Sequence, residues 1–149
     1  MKLVFGQDAL VANWAFSQAN WRPLLYNMAV GIANGNNELI GAFWFTGYNG
    51  HDAELHFYGP KLLTRRVGTE MFVVALKVLK LDRLTLKTRD KNLMRGYLKF
   101  GAVHEATLRR IYGPTDDEED AAEQFVFFRE TMESLTKLRE TRHGQISDD

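Results

Sequence analysis

Glu54-Leu55-His56-Phe57-Tyr58-Gly59, then Arg65-Arg66-Val67-Gly68-Thr69-Glu70, and finally Phe100-Gly101-Ala102 mark the stretch whose reading decides the fold. Alternation from Ala53 to Tyr58 puts Glu54, His56 and Tyr58 on one face of a strand and Leu55 and Phe57 on the other. A central strand in an open sheet covered by helices is expected to be apolar on both faces. Three polar side chains in a row therefore need a cause: partial solvation, pairing with basic neighbours, or a polar cleft. After a basic turn, Leu63, Val67, Met71, Val74, Ala75 and Val78 recur at helical spacing, and Phe72, Leu76 and Leu79 widen the stripe. Pro60 suits the start of this helix, which runs to about Lys80. Leu84 to Lys87 then reads as a strand and Asn92 to Phe100 as a second helix.

On the N-terminal side, Lys2 to Phe5 is a short strand. Asp8 is placed to cap a helix carrying Leu10, Val11, Trp14 and Ala15, and Arg22-Pro23 ends that region. Two strand-like runs follow, Tyr26 to Ala33 and Glu38 to Tyr48, joined by Asn34-Gly35-Asn36-Asn37. Asn and Gly tolerate positive φ, so this is a hairpin signal. Asn49-Gly50-His51-Asp52 makes the next turn, which predicts three consecutive antiparallel strands. On the C-terminal side, Ala102 to Tyr112 reads as a strand, Asp116 to Asp120 as an acidic loop and Glu123 to Arg129 as a last strand. Met132, Leu135 and Leu138 indicate a final amphipathic helix, ended by Gly144 and a frayed tail from Gln145.

The order β, α, β, β, β, α, β, α, β, β predicts an α/β (α+β) fold: a mixed, mostly antiparallel sheet of about seven strands with helices on both faces. We read residues 1–130 as one domain and 131–149 as its C-terminal helix and tail. With 45% hydrophobic and 26% charged residues, the chain can bury a core and is not a disordered tail. The absence of Cys excludes disulfides, a thiolate nucleophile and cysteine zinc sites, and favours a cytoplasmic protein. The N-terminus holds no apolar run long enough for a signal peptide or a membrane span, so no membrane partner is expected. His51, His56, His104 and His143 lack paired metal-ligand spacing, and no metal is expected. The stretch from Gly59 to Gly68 contains no phosphate-binding Gly-Lys-Ser/Thr, and Ser17 and Ser134 have no nucleophile-elbow context.

Charge is unevenly spread although the net charge is zero. Lys61 to Arg110 holds thirteen basic against four acidic residues, and Ile111 to Asp149 four against eleven. Each charge by itself is a solvated surface group; the summed bias of the middle segment marks a place for a polyanion such as nucleic acid or a CoA-like nucleotide.

The layout resembles the GNAT superfamily of N-acyltransferases, over most of the chain in element order and over Glu54 to Ala102 in motif. That family's pyrophosphate loop, [QR]-x-x-G-x-[GA], is matched by Arg65 and Gly68 and departed from by Glu70. Its later pattern is matched by Tyr97 and Gly101 and departed from by Asp90, Leu93 and Ala102, with Asn92 placed to take the polar role. The motif works because N–H groups at a helix N-terminus point at phosphates and Gly allows close approach.

The resemblance implies an acyl-CoA-dependent N-acyltransferase in which an amine attacks acetyl-CoA directly. Glu54 would be the base, through a water, with His56 second. Backbone N–H groups of Phe57, Tyr58 and Gly59 would polarise the thioester carbonyl. Tyr97 would protonate the leaving sulfur, or else be a helix aromatic packed on the sheet. Arg65, Arg66, Val67, Gly68, Thr69 and Asn92 would hold the cofactor. The basic run Lys87, Arg89, Lys91, Arg95 and Lys99 would meet another phosphate, or be a solvated face. The implied partner is a small-molecule or protein amine, which the acidic loop suits, and the segment from Trp21 to Tyr26 would wall its site. Two other readings stand beside this one: a binding module of the same fold without turnover, and a phage-type protein modifying nucleic-acid bases. Monomer and homodimer are both open.

Overall fold

The computed structural model describes residues 1–22, 25–59 and 65–137. Seven strands form one sheet in the order β1-β2-β3-β4-β5-β7-β6. They are β1 (Lys2–Val4), β2 (Met28–Ala33), β3 (Leu39–Thr46), β4 (Asp52–Tyr58), β5 (Arg83–Thr88), β6 (Val103–Leu108) and β7 (Ala122–Phe128). The helices are α1 (Asp8–Gln18), α2 (Arg65–Lys77), α3 (Lys91–Lys99) and α4, residues 129–137. All neighbouring pairs are antiparallel except β4 and β5. The expected mixed, mostly antiparallel sheet is what forms, and β2, β3 and β4 are the three consecutive antiparallel strands. Among the described residues, no helix is long and apolar enough to cross a membrane.

The sheet has a core on each face. Ala53, Leu55 and Phe57 of β4 join Leu84, Leu86, Phe125 and Phe127 in the larger core, with α2, Tyr97 of α3 and Met132 of α4 packed on them. On the other face Val11, Ala12, Ala15 and Phe16 of α1 pack on Ala29, Ala42 and Trp44. α1 covers β2 and β3. Among the described residues no helix covers this face over β5 and β7.

Local chemistry explains the element ends. The Asn34–Asn37 hairpin forms as expected: Asn37 sits at φ 61°, and Asn34 Oδ1 accepts from the N–H of Asn36 and Glu38 at 2.9 and 3.0 Å. Asp8 differs from its expected role. Gln7 is the N-cap, and the Asp8 carboxylate accepts the Ala29 N–H at 3.0 Å, which ties α1 to β2. Asp90 is the true cap of α3, with Oδ1 accepting from Asn92 and Leu93 N–H at 2.8 and 3.2 Å. Gly101, at φ 98°, ends α3, and the Ala102 N–H closes onto the Tyr97 carbonyl at 2.9 Å.

Two boundaries are corrected. α2 stops at Lys77, leaving Val78 exposed and outside the core stripe. β6 ends at Leu108, because Arg110 at φ 59° turns the chain, so Tyr112 lies in a loop. Met132 and Leu135 pack on this sheet's own core. The expectations placed on Pro23, on Pro60 and Leu63, and on Leu138, Gly144 and the tail lie outside the described residues.

At Gly31 of β2, beneath α1, a Cβ would sit 2.8 Å from Leu39 Cδ2 of β3 and 2.9 Å from Val11 Cγ2 of α1. Gly31→Ala is therefore expected to destabilise the protein by about 1–3 kcal/mol, lowering the thermal midpoint by several degrees. An unchanged melting curve would refute this packing.

Candidate active site

β4 and β5 pair over three rungs only: Asp52 with Arg83, Ala53 with Leu84, and Glu54 with Thr85. Beyond Glu54, β4 stays paired with β3 as far as Tyr58, and β5 stays paired with β7 as far as Thr88. The two strands therefore part, and no rung crosses between Leu55–Tyr58 and Leu86–Thr88. Backbone polar groups along a parted edge seek partners, which makes the gap a place for a ligand to lie. Gly59, just past the end of β4, adopts φ 142°, a backbone conformation that favours glycine.

On the α1 side of the gap the alternation of β4 presents Glu54 and His56 together. Their side chains are 25% and 22% exposed, with Glu54 Oε2 3.8 Å from His56 Nε2. Lys87 of β5 brings Nζ to 3.5 Å from Glu54 Oε2. His56 Nε2 is also hydrogen-bonded to Thr46 Oγ1 at 2.9 Å, and its ring lies nearly parallel to Trp44, centroids 5.7 Å apart. Burial is the largest influence on His56 and lowers its pKa; Glu54 opposes this and Lys87 adds to it. The imidazole is thus held neutral at neutral pH. Next along the same face Arg83 bridges Asp52 and Glu105, meeting the latter through two hydrogen bonds at 2.5 and 2.9 Å.

Tyr97 lies on the other face of the sheet. It is 7% exposed, against the rings of Phe125 and Phe127 at 5.7 and 6.3 Å. Its hydroxyl has no hydrogen-bond partner among the described residues. Burial first, then the charges of Asp90 and Tyr112, push its pKa up, so it stays protonated. The fold therefore brings Glu54 and His56 together and puts Tyr97 across the sheet, against Phe125 and Phe127 of β7.

The residues expected around the cofactor divide. Arg65 and Arg66 are exposed, and the Cβ position of Gly68 opens onto empty space. Val67 and Thr69 point their side chains into the core, and Thr69 Oγ1 donates to the Arg65 carbonyl at 2.7 Å, so neither side chain faces a ligand. Phe57 belongs to the larger core, while Tyr58 packs on Trp14 and donates to the Gln18 carbonyl at 3.4 Å. Asn92 is exposed and accepts from Arg95. Among the basic run, Lys91 pairs with Glu118 at 3.3 Å and Arg89 donates to the Glu119 carbonyl at 3.1 Å, so the acidic loop folds back on this segment.

Sequence reading missed Lys87 as the partner of Glu54, Thr46 behind His56, and Tyr112. The Arg89 guanidinium sits over the Tyr112 ring, 4.8 Å from its centroid. A lone aromatic in a polar loop after Arg109-Arg110 was the available signal for Tyr112.

Solved structures share this architecture. A spermidine N-acetyltransferase from Vibrio cholerae in complex with CoA and spermine superposes with a TM-score of 0.60 at 13% identity, covering 70% of this chain and 67% of that one. The fold is that of the GNAT N-acetyltransferases. A chimera of the Vibrio cholerae enzyme SpeG and hSSAT gives 0.58 at 15% identity, covering 70% and 68%. Spermidine/spermine N-acetyltransferase SpeG from Vibrio cholerae, with manganese ions, gives 0.59 at 14%, covering 68% and 65%. No family model and no curated protein sequence matches the chain.

The electrostatics of the Glu54, His56 and Lys87 group can be tested without any ligand. Followed by NMR, His56 is expected to titrate below the usual histidine value of about 6.5. Lys87→Met removes a cation that disfavours the imidazolium and should raise that pKa, whereas Glu54→Gln should lower it further. Shifts of the opposite sign would show that the three groups are not arranged this way.

Proposed function

We propose that this protein is an N-acetyltransferase that moves an acetyl group from acetyl-CoA to a primary amine by direct attack. The observation that carries the reading is the early end of the β4–β5 ladder, with Glu54 and His56 on one face of the gap and a buried, protonated Tyr97 on the other. The residues present fit the CoA end as well. Arg65 and Arg66 are free to meet phosphates, and Gly68 leaves the room beside α2 that a side chain would fill.

Acetyl-CoA supplies an acetyl thioester. Acetylation needs the amine to lose a proton, and the Glu54–His56 pair takes it. His56 is the acceptor, since burial keeps it neutral, and Glu54 at 3.8 Å stabilises the imidazolium that forms. The order expected from sequence, Glu54 before His56, is thus reversed in this reading, because Lys87 already holds the Glu54 carboxylate. Backbone N–H groups around Phe57, Tyr58 and Gly59, where β4 has left β5, polarise the carbonyl. Tyr97 holds the proton that the departing sulfur requires. Small amines are the acceptor class we favour, a reading supported by a solved neighbour that holds CoA and spermine.

Calorimetric titration of acetyl-CoA, followed by assay of a primary-amine panel including spermine, tests this. Wild type should bind acetyl-CoA and acetylate at least one amine. Gly68→Trp should abolish binding, and His56→Gln or Tyr97→Phe should lower kcat by about 10²–10⁴ with KM little changed. Because His56 works only when neutral, the wild-type rate should fall as the pH drops through its depressed pKa, a limb that His56→Gln removes. Full activity in both variants would overturn the site, and no binding of acetyl-CoA the function.

A further inference from the structure

The two ring nitrogens of His56 meet different surroundings. In the β3–β4 register Trp44 lies opposite His56, and Thr46 lies opposite Glu54. Thr46 therefore stands diagonally across from His56, within reach of its ring, and Thr46 Oγ1 meets His56 Nε2 at 2.9 Å. The Glu54 carboxylate lies 3.8 Å from the same nitrogen and is itself paired with Lys87 Nζ at 3.5 Å. Among the described residues Nδ1 has no hydrogen-bond partner. Trp44 sets the plane of the imidazole. It is fully buried, with Phe16 and Trp21 packed edge-on at 5.4 and 5.6 Å, and its ring lies within 12° of parallel to that of His56.

Two hydrogen-bond arrangements can join Thr46 to Nε2. Either the hydroxyl donates to a bare Nε2, leaving the ring proton on Nδ1, or Nε2–H donates to Oγ1. The carboxylate decides between them. An anion 3.8 Å away repels a lone pair on Nε2 and attracts an N–H there. Nε2 is also closed to an incoming amine, because Thr46 already occupies it.

We propose that Thr46 is the positioning residue that, with Glu54, holds a proton on His56 Nε2 and so makes Nδ1 the atom that takes the proton from the attacking amine. The inference rests on the acetyl-transfer reading above. During the attack an amine N–H bond breaks and the Nδ1–H bond forms. The amine nitrogen's lone pair becomes the new C–N bond, the pair from the broken N–H bond stays on nitrogen, and the C–S pair leaves with the sulfur, which takes its proton from Tyr97. The Nε2–H bond stays intact throughout, with Thr46 accepting from it in both charge states. Nδ1 afterwards gives its proton to solvent and Tyr97 regains one from it, so no net proton is gained or lost. The imidazolium formed in between is met by Glu54 and by the face of Trp44, whose centroid at 5.7 Å is within the range of about 6 Å at which an aromatic ring attracts a cation.

NMR of protein labelled with ¹⁵N in its histidine rings, at a pH above the His56 titration, reads the tautomer without any substrate. Wild type should carry the proton on Nε2 and leave Nδ1 bare. Thr46→Val keeps a β-branched residue on β3 and removes the hydroxyl, and should move His56 toward a mixture of tautomers. Assayed with acetyl-CoA and the amine acetylated fastest by wild type, it should lose about 3- to 10-fold in kcat, the worth of one hydrogen bond, with both KM values unchanged. Thr46→Ser returns the hydroxyl and should restore the tautomer and kcat together. A wild-type proton on Nδ1, a Thr46→Val kcat equal to wild type, or a Thr46→Ser variant that behaves like Thr46→Val overturns the proposal and leaves acetyl transfer standing. A wild type that acetylates none of the amines overturns the acetyl-transfer reading and the part of Nδ1 in it, even with the proton found on Nε2.

Discussion

Three rungs of parallel pairing between β4 and β5 hold the two halves of this sheet together. On one side β1 to β4 form an antiparallel meander, and on the other β5, β7 and β6 form an antiparallel trio. Each half is well paired internally, β4 with β3 over five rungs and β5 with β7 over six. Past Glu54 the two halves can therefore diverge without either strand fraying. A parallel join needs a crossover, here α2 on the larger core, and that core closes beneath the divergence through Leu55, Phe57, Leu86 and Phe127. The gap thus has one open side and one sealed side. That asymmetry gives His56 and Tyr97 their different environments: one a quarter exposed beside two charged groups, the other enclosed by phenyl rings.

Charge pairing positions the rest. The cationic middle of the chain and the anionic segment after it meet in space through Lys91–Glu118, Arg110–Asp116 and the Arg89 contact with Glu119. Exposed pairs of this kind contribute about 0–1 kcal/mol each, so their importance is geometric more than energetic. They lay the loop containing Tyr112 against the end of β5. Lys87 behaves differently because it is only one-third exposed, close to a carboxylate and a buried imidazole. There a single cation both anchors Glu54 and adds to the burial that keeps His56 neutral.

Much of this was legible in the sequence, for identifiable reasons. Strand and helix periods are local, so the two faces of β4 and the stripe on α2 could be read directly. The hairpin at Asn34–Asn37 could be read because positive φ selects Asn and Gly. What was not legible is long-range. Asp8 obeys the local rule for a cap, yet the Ala29 N–H, twenty-one residues away, takes its carboxylate. The ladder's end after Glu54 leaves no mark in β4 or β5, since both strands remain extended. Tyr112 was read into a strand that Arg110 ends, and its place beside Arg89 depends on the turn that follows. Val67 and Thr69 sit within a motif of the right layout, but which side chains of a helix face the sheet is decided by the sheet.

The weak sequence likeness to solved acetyltransferases, 13–15% identity at TM-scores near 0.6, follows from the same physics. In the proposed reading most of the work belongs to the backbone: N–H groups along the parted edge of β4, and a ladder that stops early. Backbone donors are indifferent to the side chains around them, so Glu70, Leu93 and Ala102 can depart from the family pattern while those groups stay where they are. In the proposed reading side chains are constrained where a proton must be held, at His56 and Tyr97, and where the chain must adopt positive φ, as at Gly101. A scaffold whose chemistry is so largely main-chain can keep its shape long after its motifs have become hard to recognise.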